Sequence, residues 1–126
     1  MKILHCADLH LDSKMTANLD KEKAKERKGE ILRTFERMIR YAEEQEIAVI
    51  LIPGDLFDTK HISATAKNTV LHAIVEHADI HFYYLKGNHD SDNFLADLEK
   101  LPDNLYLFDS NWTTYEEADG RITING

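Results

Sequence analysis

Apolar residues fall into short blocks separated by polar stretches, and the period inside the blocks changes along the chain. Residues 2–7 hold Ile3, Leu4, Cys6 and Ala7 in a run too short for a helix, which predicts a buried strand ending at Asp8. Residues 9–19 have polar breaks and no period, and read as a loop. Over residues 20–46, Ile31, Leu32, Phe35, Met38, Ile39 and Ala42 recur at helical spacing and make one apolar stripe. Asp20 is the expected N-cap and Glu22 an acid in the first turn. Gly29, which costs about 1 kcal/mol against Ala inside a helix, marks residues 21–28 as a frayed or separate turn. Residues 47–52 are apolar on both faces, as an interior parallel strand requires, and Pro53-Gly54 stops them. A second helix is expected over 63–77, with Ala66, Val70, Leu71, Ile74 and Val75 turned inward. A third strand over 80–85, a short helix over 93–100 and a fourth strand over 104–108 follow. Residues 113–125 read as a hairpin turning at Asp119-Gly120. Strand, helix, strand, helix, strand predicts an α/β fold with a mostly parallel sheet flanked by helices.

The polar residues at the strand ends carry the chemistry. The first strand runs into Asp8-Leu9-His10, the second into Gly54-Asp55-Leu56-Phe57-Asp58, the third into Gly87-Asn88-His89-Asp90. The C-terminal ends of parallel strands share one edge, where ligands bind. Asp8, His10, Asp55, Asn88 and His89 are therefore expected to converge. Carboxylates, an imidazole and an amide oxygen suit divalent ions of intermediate hardness: manganese or iron, with zinc possible. Asp55 follows a glycine, so the backbone can turn sharply there and offer one carboxylate to two ions. Two ions roughly 3.5–4 Å apart would clamp a phosphate and acidify a bridging water, whose hydroxide form attacks phosphorus in line. His89 would meet the leaving oxygen as a proton donor or steady the charge on the phosphate. Asp90 would orient the His89 ring. Taken singly, Asp-x-His is common and Gly-Asp is usually a turn. The weight lies in three successive strands each ending in such a cluster.

Composition narrows the field further. At 126 residues the chain is expected to be one domain. A net charge of −8 weighs against a passive nucleic-acid coat protein but not against an enzyme of phosphate esters. The single cysteine, Cys6, excludes an internal disulfide framework and a Cys-rich zinc module, and reads as a small core residue. No apolar run has the length of a membrane span or a signal peptide, so a cytoplasmic location is expected. Lys14, Lys21, Lys23, Lys25, Arg27 and Lys28 read as a solvated face interleaved with Glu22, Glu26 and Glu30, or as a track for DNA phosphates beside the site. His5 is expected in a packed or hydrogen-bonded role, His81 in a structural one, and His61 at the entry of the second helix or near a substrate phosphate. Trp112 and Tyr115 are expected to cover the end of the sheet, with stacking on a base as the alternative.

The three clusters, in this order and with strand–helix pairs between them, resemble the first three motifs of the calcineurin-like metallophosphoesterases over about residues 1–110. Asp8-Leu9-His10-Leu11-Asp12-Ser13 with Gly54-Asp55-Leu56-Phe57-Asp58 most resembles the SbcD-type DNA-repair exonuclease branch. The resemblance implies the N-terminal half of a four-layer α/β/β/α sandwich. It implies two divalent ions, manganese foremost: Asp8 and His10 on the first, Asp55 bridging, Asn88 on the second. His89 would be the catalytic histidine, paired with Asp90, and Asp58 a support of the loop. The implied activity is DNA phosphodiester cleavage. A phosphomonoesterase or a cyclic-nucleotide phosphodiesterase is the alternative within the family, and an ATPase of the SbcC type the implied partner. The family also draws ligands from later histidines, whereas the seven here are His5, His10, His61, His72, His77, His81 and His89. The chain is therefore expected to be a truncated domain over 1–126, completed by another chain or else an inactive half-domain. An exposed sheet edge would favour a homodimer.

Overall fold

The computed structural model describes residues 1–14, 18–88, 90, 93–96 and 98–126. The chain runs β1 (Ile3–His5), α1 (Lys21–Glu44), β2 (Val49–Ile52), α2 (Ala64–Glu76), β3 (His81–Leu85), α3 (Asn93–Ala96), β4 (Leu105–Phe108), β5 (Thr114–Glu117) and β6 (Ile122–Asn125). Strands β1 to β4 form one parallel sheet in sequence order, and β5 and β6 pair antiparallel. Crossovers of one hand between strands added in order place the helices on a single face, and α1 and α2 share one core there.

Register decides which residues meet that core. Ile50, Phe82 and Leu105 stand in one row across β2, β3 and β4 and face the helices. The next row, Leu51, Tyr83 and Tyr106, faces the β5–β6 hairpin. Both faces of the central strands are covered, which is why residues 47–52 carry no polar position.

Helix α1 starts where expected, with Asp20 accepting from the Lys23 backbone N at 2.8 Å. It runs unbroken through Gly29, against the expected fray. The Arg33 guanidinium lies over the glycine, 3.1 Å from where a β-carbon would sit. Its buried residues are Phe35, Ile39 and Ala42, all in the C-terminal half. On α2, capped by Ser63, the inward residues are Ala66, Val70, Ala73 and Ile74. Val75, expected inward, is 59% exposed, because one further residue rotates the side chain past the core stripe. Helix α3 is shorter than the expected 93–100. Asn104, expected as a strand residue, is buried just before β4. Its amide donates to the carbonyls of Ile74, His77 and Ile80, tying the end of α2 to the start of β3.

The hairpin turns at Asp119-Gly120, as expected, with Ala118, Asp119 and Gly120 all at positive φ. It covers β2 to β4 but leaves the outer face of β1 open. His5 and Ile3 are therefore exposed, which corrects the packed role expected of His5. His81 is structural, pairing through Nδ1 with the buried carboxylate of Glu117 on β5, which also accepts from the Tyr83 hydroxyl at 2.6 Å. Tyr115 lies against the sheet, its ring centroid 5.5 Å from that of Tyr83, as a covering residue should. Trp112 does not cover the sheet and is 80% exposed. Asp109 accepts from the Asn111 backbone N and turns the preceding loop outward.

Candidate metal centre

The loop after β1 alternates polar residues with apolar anchors. Leu11 is fully buried and Leu9 packs against the same core, while Asp8, His10 and Asp12 stand between them. The loop after β2 follows the same plan, with Leu56 and Phe57 buried beside Asp55 and Asp58. Burial of a Leu or Phe side chain stabilises by roughly 1.5–3 kcal/mol, so these anchors hold the polar residues in place. Backbone bonds then join the two loops. His10 N donates to Asp55 O at 3.0 Å, Leu11 N to Leu56 O at 2.8 Å and Asp58 N to Leu11 O at 3.1 Å.

Four of the polar residues have left-handed backbone: Asp8 (φ 54°), His10 (φ 47°), Asp12 (φ 59°) and Asp55 (φ 50°). Asp and His are among the few side chains that tolerate this region, and such strain collects at functional sites. Asp8, His10 and Asp55 consequently bring one ligand atom each to within 4.8 Å of one another. His10 Nε2 lies 3.7 Å from Asp8 Oδ1. Two carboxylates and an imidazole at this spacing, partly open to solvent, fit a divalent cation.

Two glycines let the third cluster approach. Gly54 has φ +114°, and a β-carbon there would lie 3.2 Å from the Gly87 α-carbon. A β-carbon on Gly87 would lie 2.4 Å from both N and Oδ1 of Asp55. The carboxylate of Asp55 thus occupies the space that any other residue at 87 would fill. Asn88 follows in the turn and is exposed. Asp90 is buried, with Oδ1 accepting from Phe57 N at 2.7 Å and Oδ2 from Gly87 N at 2.8 Å. Its carboxylate therefore fastens the second cluster to the third. His89, and with it the expected Asp90–His89 pairing, lies outside the described residues.

Further polar residues support these three side chains. Asp58 Oδ1 lies 3.6 Å from His10 Nδ1, and Asp58 Oδ2 accepts from Ser13 Oγ at 2.9 Å. A carboxylate beside the second nitrogen of a ligating histidine fixes the orientation of the ring. Asp12, given no role from the sequence alone, is buried. It accepts from Ser63 N at 2.8 Å and lies 3.7 Å from Lys28 Nζ, which ties the first loop to both helices. Its signal was present as the next polar position in the Asp8–His10 alternation. Cys6 packs toward the core with Sγ on Leu51 O, and burial pushes its thiol up to about 11, so it stays neutral.

The whole chain, residues 1–126, matches the family described as calcineurin-like phosphoesterase. It is also 33% identical, over 96 residues, to the DNA double-strand break repair protein Mre11 of Sulfolobus acidocaldarius. That alignment covers 72% of this chain and 23% of the relative, so the chain spans about a quarter of the relative's length. Among the described residues no helix is long and apolar enough to cross a membrane. With its strand-end acidic cluster built on a parallel sheet, this chain belongs to the calcineurin-like phosphoesterase family.

Proposed function

We propose that this chain carries the metal-binding part of a divalent-metal-dependent phosphodiesterase that acts on DNA. The observation that carries the proposal is the convergence of Asp8, His10 and Asp55 on one point at the C-terminal edge of the sheet. The likeness to a protein named for DNA double-strand break repair supports DNA as the substrate. Asp8 and His10 would hold one ion, Asp55 would be shared, and Asn88 would hold a second. Divalent ions in such a site polarise a phosphate and acidify water. Manganese suits the donor set best, with iron and zinc as alternatives. His89 is the residue to donate a proton to the leaving oxygen. Asp90 keeps its loop in register with Phe57 and Gly87. The same reading includes a cytoplasmic location, an ATPase partner of the SbcC type and pairing of two copies of the chain.

Calorimetric titration with manganese, alongside hydrolysis of bis-p-nitrophenyl phosphate and of a DNA duplex, tests the proposal. Two ions per chain, reduced in Asp55→Asn, together with metal-dependent cleavage of both phosphodiesters, are expected. Absence of manganese binding by the folded protein would overturn it.

A further inference from the structure

One aromatic ring stands clear of the layer that holds its neighbours. Trp112, the single tryptophan, is 80% exposed, and among the described residues no hydrogen bond or ring contact engages its side chain. Its backbone is nonetheless held on both sides. Asp109 Oδ1 accepts from Asn111 N at 2.7 Å, closing an Asx turn. Thr113 Oγ1 donates to Asn111 O at 3.0 Å, and Thr113 and Gly126 exchange backbone bonds of 2.7 and 3.1 Å. The loop thus presents the indole already ordered, which lowers the entropy lost when a ligand meets it. Topology sets where this happens. β4 runs parallel to β3 with Phe108 level with Leu85, so the loop leaves the C-terminal edge of the sheet. β5 then runs back toward the other edge, where Glu117 meets His81 at the start of β3. The metal cluster stands at that same C-terminal edge, since Leu85 lies two residues before Gly87, which packs on Asp55. Neighbouring strands lie about 4.8 Å apart, which puts β4 roughly 10 Å from β2, a gap that a short single strand of DNA spans.

The surroundings of the ring name its occupant. Asp109, Ser110 and Asn111 before it and Thr114 after it are polar and exposed. A stable protein partner covers about 800 Å² a side around a contiguous apolar patch, and one ring in a polar loop offers no such patch. A flat indole with open faces suits a flat ligand, and every nucleic-acid base has a face that stacks on it. The exposed carboxylate of Asp109 opposes a phosphate, which leaves the base as the part of a strand that meets this loop.

We infer that Trp112 stacks on an unpaired base of the DNA strand whose phosphate lies at the Asp8–His10–Asp55 cluster. The inference rests on the phosphodiesterase reading above. It makes the protein bind a single strand more tightly than an abasic backbone of the same charge.

Because the chain has one indole, its emission reports the contact directly. The probes are octathymidylate and an abasic octamer with the same number of phosphates, both in the presence of calcium. Octathymidylate is expected to quench the emission of Trp112, and the abasic octamer to leave it nearly unchanged. Fluorescence anisotropy of dye-labelled octamers then gives affinities without relying on the indole. Trp112→Ala should weaken octathymidylate binding by about tenfold, within the range of one base–aromatic stack, and Trp112→Phe by less. The abasic octamer should bind the wild type and Trp112→Ala equally, with thermal melts checking the fold of each variant. Equal affinity of the wild type and Trp112→Ala for octathymidylate, unquenched emission at saturation, or no binding of octathymidylate by the folded protein overturns the stack. An emission shift that follows protein concentration without any oligonucleotide overturns it too, and assigns the ring to a contact between copies of the chain. The phosphodiesterase reading is decided separately by manganese-dependent hydrolysis of bis-p-nitrophenyl phosphate, which has no base. Hydrolysis without a Trp112 effect on octathymidylate leaves that reading standing and removes the stack.

Discussion

The centre is made of residues whose backbones are as unusual as their side chains. Asp8, His10 and Asp55 hold left-handed conformations that most residues avoid, and the two glycines beside them differ sharply from the glycine in α1. At position 87 an added methyl would sit 2.4 Å from both N and Oδ1 of Asp55, a distance that cannot be kept. At position 29 it would meet only the mobile end of Arg33, at 3.1 Å. The same substitution should therefore have opposite effects. Gly87→Ala is expected to displace the Asp55 carboxylate and lower manganese affinity by about tenfold or more, as loss of ligand support does elsewhere. Gly29→Ala should leave metal binding alone and raise the melting temperature, since Ala is favoured in a helix by up to about 1 kcal/mol. Calorimetry and thermal melts on the two variants check this. Equal manganese affinity in Gly87→Ala would show that Asp55 does not depend on its glycine neighbour.

At the scale of elements, the hairpin is fastened to the sheet by polar bonds set in a largely apolar layer, Glu117 to Tyr83 and His81 and the Tyr115 hydroxyl to Leu107 O. Tyr83 is 2% exposed, stacks on Tyr106 at 4.7 Å and donates to Glu117. Burial first, and the bond to Glu117 second, push its ionisation well above the ordinary value near 10. The sign follows. Above about pH 10 the unfolded chain loses this proton while the folded chain keeps it, so stability falls as pH rises. Cys6 acts in the same direction, its thiol raised from 9.0 to about 11. Melting temperature is therefore expected to fall between pH 9 and 11. Tyr83→Phe should start lower at neutral pH, by about 1 kcal/mol for one lost hydrogen bond, and then fall less steeply. Parallel pH curves for the two proteins would reject the assignment to Tyr83.

The same layer shows what the sequence revealed and what it hid. The strands were legible because residues 47–52 are apolar throughout, and α1 because its stripe is regular. The helix faces were less so: Val75 and Ala73 differ only in rotation about α2, which packing decides. His5 was misread because the extent of the hairpin over β1 leaves no trace in a local pattern, and Trp112 because an Asx turn at Asp109 redirects the loop. In the site, Asp8, His10 and Asp55 were legible from residue type and strand position, and they converge. The backbone partners of Asp90 were not, since Phe57 lies 33 residues away and offers only an amide.

The whole molecule distributes its charge unevenly. Eight of its 15 basic residues, but only four of its 23 acidic ones, lie in residues 21–40 of α1. The helix has 24 residues, about 36 Å at 1.5 Å each, whereas β2 has four. All the buried residues of α1 lie from Phe35 onward, so its first turns extend past the core. Lys28 meets Asp12 and so brings this free end toward the loop of Asp8 and His10. Lys21, Lys23, Lys25 and Arg27 are exposed along it. On a protein of net charge −8, such a segment offers a polyanion the approach that the rest of the surface opposes. If DNA phosphates follow it, each lost contact flattens the dependence of log affinity on log salt by about 0.9. Changing Lys21, Lys23 and Lys25 together to Ala should weaken DNA binding at low salt and reduce that slope by up to about three times this amount. Manganese affinity should not change, because none of the three lysines offers a ligand atom to the Asp8–His10–Asp55 cluster. The comparison separates two roles for the helix end. A flattened slope with intact metal binding assigns it to the polymer. An unchanged slope makes it a solvated face whose lysines are balanced by Glu22, Glu26 and Glu30, and any DNA must then reach the metal centre by another side of the sheet edge.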